Sequence, residues 1–373
     1  MKKISQKMNV KQKNRSRVGK FISSEGNTSK GEIAKNLHLS MPTALQIVKE
    51  LTELGIVVEE GEYQSTGGRK AKVLSIARTA GYAAGVDITN NHITWVMVNA
   101  RKEIVASRRI RRPYGTDGEY NRFLEEETAA FLKETKVPEE KILGVGFSLP
   151  GIVDKEKKIL LRSHTLKVEN VSFQEIGEAF GYPYILENDA NSAAEAEIGD
   201  NMPDAVYLSL SNTVGGAIYM DHRLYEGKNF KSAEFGHMIL EPGGRKCYCG
   251  KRGCLDAYCR AGLLSEAAGT SLDGFFALVR QGDAHMKKVW EEYLEHLAVA
   301  VSNLRMAFDC DVVLGGYVGG YMEEFMADLS EKIQKLNIFD KDTSYLHGGK
   351  YKLEASAYGA ALYFIRELFE TSL

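Results

Sequence analysis

The sequence predicts a mixed α/β protein, with a small helical head closed by a hairpin (residues 1–80) in front of a larger body (residues 81–373). Three observations carry this. Residues 14–54 hold three short segments with apolar positions at helical spacing, followed at once by two strand-like runs. From Gly81 onward, apolar strands alternate with helical stretches, the pattern of a sheet with helices on its faces. Charge divides at the same point. Residues 1–80 contain 15 Lys/Arg against 7 Asp/Glu, a balance of +8 in a chain whose net charge is −2, which leaves −10 for the rest.

In the head, Val18, Phe21 and Ile22 make the first apolar stripe, and Ile33, Ala34 and Leu37 the second. Ala44, Leu45, Val48, Leu51 and Leu54 make the third. Ser40 suits the N-cap of the third helix, Pro42 its first turn, and Gly55 a left-handed stop. Only the stretch around His38-Leu39-Ser40 separates the second and third helices, which is a helix-turn-helix spacing. Ile56–Glu59 and Lys72–Ile76 then read as strands joined by a loop ending Gly67-Gly68-Arg69-Lys70. Together these predict a winged helix-turn-helix. Its third helix would present Thr43, Gln46 and Lys49 to a major groove, with Arg69, Lys70 and the basic N-terminus on phosphates. A three-helix module that binds protein is the alternative, and the basic balance favours DNA.

In the body, Tyr82–Ile88, Ile93–Asn99 and Glu103–Arg109 read as a meander of three strands. A helix over Asn121–Thr135, a buried strand Ile142–Ser148, a helix around Phe173–Phe180, a strand Tyr184–Glu187 and a helix Ala190–Ile198 follow. Strands at Asp204–Leu210 and Gly215–Met220 open a second set, helices dominate residues 255–305, and Asp311–Leu314 is a further strand. No short-period repeat is visible in the sequence.

Hydrophobic content of 44% and charged content of 26% are those of a globular protein with a sizeable core. No apolar run reaches membrane-spanning length, and no apolar segment follows the N-terminal lysines, so neither a membrane span nor a signal peptide is expected. Five cysteines, three of them clustered, point to a reducing cytoplasm and away from a disulfide framework. The cluster is the sharpest chemical signal in the chain. His237, Cys247, Cys249 and Cys254 fall within eighteen residues, punctuated by Gly243, Gly244, Gly250 and Gly253. One imidazole and three thiolates match the tetrahedral preference of Zn2+. Four protein ligands would leave no open position, so the metal is expected to be structural. Cys259 and Cys310 lie outside that spacing and read as small buried hydrophobes, and His164 has no partner pattern.

Four segments make the body resemble the ROK family of repressors and sugar kinases. They are Gly144-Val-Gly-Phe-Ser-Leu-Pro-Gly-Ile-Val-Asp154, Glu187-Asn-Asp-Ala-Asn-Ser-Ala-Ala194, Ala233-Glu-Phe-Gly-His237 and the cysteine cluster through Asp256. The resemblance implies a two-lobed fold of the actin-like ATPase type, a sugar or sugar phosphate in the cleft, and a homodimer or homotetramer. It implies sugar contact at Asn188, Asp189, Glu234, His237 and the position of Asp256. The family usually has glutamate at this last position, and one methylene fewer moves a carboxylate by more than about an ångström.

The same resemblance separates two functions. Asp189 matches the family's catalytic base, but family kinases place Asp-X-Gly-Gly-Thr after the first strand, and this chain has Asp87-Ile-Thr-Asn-Asn91. A second phosphate loop, usually Gly-Thr-Gly, here reads Ser211-Asn-Thr213. Side chains stand where backbone N–H groups would cradle phosphates, and positioning carries most of phosphoryl transfer. The expectation is therefore a sugar-responsive repressor that binds operator DNA and is not an enzyme, with an ATP-dependent sugar kinase as the rival.

Overall fold

The computed structural model describes residues 10–62, 72–199 and 202–370, and its head is built on helices α1 (Val10–Glu25), α2 (Lys30–Asn36) and α3 (Met41–Glu53). Local chemistry sets their ends. Ser29 and Glu32 form a reciprocal capping box on α2, and the Ser40 hydroxyl accepts the Thr43 N–H on α3. Gly55 leaves α3 at φ +70°. The buried face of α3 is Ala44, Ile47, Val48 and Leu51. Leu45 and Leu54, expected on that stripe, are exposed, because Leu45 lies about 100° round the helix from Ala44 and Leu54 lies beyond the last turn. Strands β1 (Val57–Glu62) and β2 (Lys72–Ile76) pair antiparallel, and Thr28 exchanges both backbone hydrogen bonds with Leu74. Arg69 and Lys70 lie outside the described residues.

The first lobe opens with the meander β3 (Tyr82–Ile88), β4 (His92–Asn99) and β5 (Ile104–Arg111), followed by α4 (Gly118–Glu134) and β6 (Ile142–Leu149). A small antiparallel sheet, β7 (Ile152–Asp154), β8 (Ile159–Ser163) and β9 (Val168–Ser172), comes next, in a stretch where the sequence pattern predicts no strand. Then come α5 (Gln174–Ala179), β10 (Tyr184–Asn188) and α6 (Asp189–Glu197). The main sheet runs β10-β6-β3-β4-β5, with β6 and β10 parallel to β3.

The second lobe repeats that plan. Strands β11 (Ala205–Leu210), β12 (Val214–Met220) and β13 (Arg223–Leu224) form the antiparallel part. After them come α7 (Asp256–Cys259), α8 (Ala261–Ala268), α9 (Leu272–Gln281), α10 (Ala284–Phe308), β14 (Asp311–Gly315), α11 (Gly316–Gly319), α12 (Met322–Leu336) and β15 (Leu346–Gly348). Its sheet order, β13-β12-β11-β14-β15, again adds two parallel strands beside the first strand of a meander. Two sheets of one topology, facing each other across helices, are the two-lobed actin-like arrangement.

The last helix, α13 (Ala355–Glu370), is apolar on nearly every side, as a helix packed between layers must be. It packs on β3, β6 and α6, and a Cβ at Gly359 would lie 1.6 Å from the Ser192 carbonyl oxygen of α6. Its far end reaches the head. Phe369, Leu368 and Ile365 share one apolar cluster with Val18, Ile22 and Leu51, and Lys20 of α1 pairs with Glu370 at 2.7 Å. Arg101 adds a polar tie by donating to Ser75 at 2.9 Å, to Glu60 and to the Ile76 carbonyl. No helix among the described residues is long and apolar enough to cross a membrane.

Candidate functional site

A cavity of about 330 Å³ opens between the lobes, and its wall begins where β10 gives way to α6. Asn188 caps α6 by accepting the Asn191 N–H at 3.0 Å, and its amide donates to the Gly151 carbonyl at 2.9 Å. Capping thus fixes the side chain that lines the cavity and ties it to the Pro150-Gly151 turn after β6. Asp189 follows, with one carboxylate oxygen on its neighbour's N–H at 2.9 Å. Enclosure by protein pushes its carboxyl up to about 6, against the pull of those hydrogen bonds. Opposite, Glu234 starts the 3₁₀ turn Phe235–His237, and burial followed by the charge of Asp189 raises its carboxyl. Asn188, Asp189, Glu234 and His237, four of the five positions expected to meet a sugar, therefore line one cavity.

Asp256 does not. It is buried at the start of α7 and its carboxylate accepts the Val214 N–H at 2.7 Å, with its carboxyl raised to about 6 by burial. It is not among the residues lining the cavity. The shorter side chain is spent on the backbone of Val214, which does line it, so Asp256 holds the wall in place without forming it.

Sequence reasoning missed several lining groups. Lys155 bridges Glu187 of the first lobe and Glu226 of the second, and all three line the cavity. His164, which had no partner pattern in sequence, also lines it, with its ring 5.9 Å from that of Tyr248. Lys155 directly follows the Gly144–Asp154 motif and Tyr248 stands between two candidate ligands, so proximity to those motifs was the available signal.

Beneath Glu234 the metal-type cluster closes. One ligand atom each from His237, Cys247, Cys249 and Cys254 lies within 4.8 Å of all the others. His237 Nδ1 is 3.8 Å from Cys247 Sγ, and Cys249 Sγ is 3.8 Å from Cys254 Sγ. The donor set fits a metal ion: borderline-soft nitrogen and sulfur, four in number, converging, with no carboxylate among them. Gly253 makes the loop possible. Its φ is +80°, and a Cβ there would lie 1.7 Å from the Glu241 carbonyl oxygen. The other ring nitrogen, His237 Nε2, points to the Tyr248 hydroxyl at 3.2 Å.

A second, smaller cavity of about 50 Å³ lies across the floor of the cleft, where Asp87 meets Thr89, Asn90, Asn212, Thr213 and Tyr317. Asp87 is buried and accepts a hydrogen bond from Ser148 at 2.8 Å. Burial, then the charge of Asp189, pushes its carboxyl up to about 7. Tyr317 enters from the start of α11, with the Arg109 guanidinium 5.7 Å from its ring centre. Thr89 and Asn90 after β3, and Asn212 and Thr213 after β11, thus face one cavity.

On the head, Thr43, Gln46 and Lys49 fall on the side of α3 away from its buried face. Thr43 bonds Ser40 at 2.7 Å, Gln46 donates to Glu50 at 3.1 Å, and Lys49 lies 3.7 Å from Glu53.

Residues 83–367 match the model of the ROK family. The xylose repressor of Caldicellulosiruptor bescii is 28% identical over 359 residues, which cover 87% of this chain and 88% of that one. A ROK family transcriptional regulator, described as a homolog of the E. coli MLC protein, shares the fold over 96% of both chains with a TM-score of 0.75 and 20% identity. The ROK hexokinase of Thermus thermophilus aligns with 75% of this chain and 97% of its own, with a TM-score of 0.60 and 26% identity. Regulators and a kinase thus share this architecture, and the choice between them falls to the site.

Proposed function

This chain belongs to the ROK family, and we propose that it is a transcriptional repressor whose hold on operator DNA answers to a sugar or sugar phosphate. The head, residues 1–80, binds the operator through Thr43, Gln46 and Lys49, with Arg69 and Lys70 on the backbone. The body, residues 81–373, takes the effector at Asn188, Asp189, Glu234 and His237. Carboxylates and amides in fixed orientation suit a ring of hydroxyls, each both donor and acceptor. His237, Cys247, Cys249 and Cys254 hold a structural Zn2+, which supplies rigidity to the cavity wall. The working unit is a homodimer or homotetramer, since winged helices commonly read paired half-sites.

The observation that carries this reading is the path from cavity to head. Asn188 and Asp189 open α6, α6 packs along α13, and α13 shares an apolar cluster with α1. A ligand shifts DNA affinity only through states that it binds unequally. Helices packed at backbone contact transmit such a difference, because a close-packed interior does not absorb it.

Fluorescence anisotropy of selected operator DNA, titrated with xylose, glucose, mannose, N-acetylglucosamine and their phosphates, tests the proposal. At least one sugar is expected to change operator affinity tenfold or more, and no change with any of them refutes ligand control. The rival, a sugar kinase, draws on Asp189, whose carboxyl near 6 suits a general base. ADP release with the same sugars decides against the repressor reading if turnover is robust.

A further inference from the structure

We infer that Leu45 is a specificity-determining residue of the head, and that it reads the C5-methyl group of one thymine in the major groove of the operator. The inference rests on the DNA-binding reading of the head above and goes beyond it by naming the base and the atom. The sequence pattern places Leu45 on the buried stripe of α3, yet the residue is 43% exposed. Met41, one turn before it, is 47% exposed, and neither joins the apolar cluster of the head. An exposed leucine standing alone asks for no partner. These two do not stand alone. Met41, Leu45 and Lys49 follow one another at four-residue steps, so they form a single row along α3, beside the exposed Pro42 and Gln46.

The chemistry of that row selects its occupant. The stretch Met41–Lys49 carries one charge, the Lys49 ammonium, and no carboxylate. Glu50, the next residue, is turned toward α1, where Lys11 at 2.7 Å and Arg15 at 3.6 Å answer it. With a balance of +8 over residues 1–80, the surface around the row suits a polyanion. In a recognition helix the N-terminal residues are the ones that reach base edges. Leu45 has neither donor nor acceptor in its side chain, so it cannot read the hydrogen-bonding groups of those edges. The apolar feature that a base pair shows in the major groove is the thymine C5-methyl.

The test uses the full-length protein and a duplex that it selects from a random-sequence library. Each thymine of that duplex is replaced in turn by uracil, which keeps the base pairing and removes the methyl. Fluorescence anisotropy is expected to show one T·A pair at which uracil weakens wild-type binding about fourfold, the worth of one buried methyl. Leu45→Ala should bind the thymine duplex about fourfold more weakly than wild type does, and should no longer tell thymine from uracil at that pair. Leu45→Met, which keeps an apolar side chain of similar volume, should retain the discrimination. Tolerance of uracil at every position by wild type overturns the inference. So does a Leu45→Ala variant that keeps its thymine preference, or one that loses affinity equally for every duplex. A change in the oligomeric state of Leu45→Ala, read by sedimentation without DNA, overturns it too, by making the row a contact between copies of the chain. If wild type selects no sequence at all, the DNA-binding reading of the head fails, and the inference fails with it.

Discussion

Replacing Asp87 by asparagine should stabilise this protein, and by an amount that depends on pH in a defined way. In a ROK kinase the aspartate after the first strand serves the phosphate cradle. Here its carboxylate is buried, within the field of Asp189, and answered by the Ser148 hydroxyl at 2.8 Å and by the more distant charge of Arg109. Its carboxyl stands at about 7 against an ordinary 3.8. A carboxyl raised in the folded state binds its proton there more tightly than in the unfolded chain, so folding stability falls as pH rises from about 4 to about 7. At about 1.4 kcal/mol per unit, the charge costs about 4 kcal/mol at pH 8 and about 1 kcal/mol at pH 4.5. Asparagine keeps the shape, keeps an acceptor for Ser148 and removes the charge. With an unfolding entropy of about 2.1 cal/mol/K per residue, Asp87→Asn should melt about 5 °C higher than wild type at pH 8. The gap should close to about 1 °C at pH 4.5. Differential scanning calorimetry at the two pH values reads this directly. A melting temperature at pH 8 that is unchanged or lower refutes the argument, and so does a gain that persists undiminished in acid. The sugar response of the variant should be intact, whereas a kinase that relied on this carboxylate would be crippled.

Three further outcomes are expected. Gly359→Ala places a methyl 1.6 Å from a backbone carbonyl, and neither helix can yield cheaply; thermal melts should show a loss of about 3 kcal/mol, and an unchanged melt would contradict the packing of α13 on α6. Cys254→Ser should abolish stoichiometric zinc by elemental analysis and weaken sugar binding at least tenfold, while operator affinity without sugar stays within about twofold. Lys49→Ala should weaken binding to the selected operator by about 1–3 kcal/mol and relax the preference at one base pair, as expected of a single base-edge contact read by a competition binding series. Unaltered affinity and preference would remove Lys49 from the DNA face.

What could be read from sequence follows how far apart the cooperating residues lie. The head was legible because its signals are local: Ser40, Pro42 and Gly55 mark the ends of α3, and each sits where the structure uses it. The ligand cluster was legible for the same reason, since His237 and Cys254 are separated by a single loop. The turns of the small sheet were hidden because Lys158 and Lys167 adopt positive φ there, where glycine is the usual signal, and Asn170 does so within β9 itself. The Asp256 carboxylate was misplaced because its partner is a main-chain N–H 42 residues away, which no side-chain pattern announces. The duplication of the sheet left no repeat in the sequence, for it consists in which strands pair: β6 beside β3 and β14 beside β11, each across long intervening segments of unrelated length. Helix α13 is the sharpest case. Ala355–Glu370 reads locally as an ordinary apolar helix, yet it closes contacts with β3 more than 260 residues earlier and with α1 at the far end of the chain. Glycine at 359 is what admits it to backbone contact with α6, and that contact places the helix capped by Asn188 one layer from the head. Parting the head from the body therefore involves α13, and a truncation before residue 355 should cost the fold of the first lobe, read as a lost or lowered thermal transition.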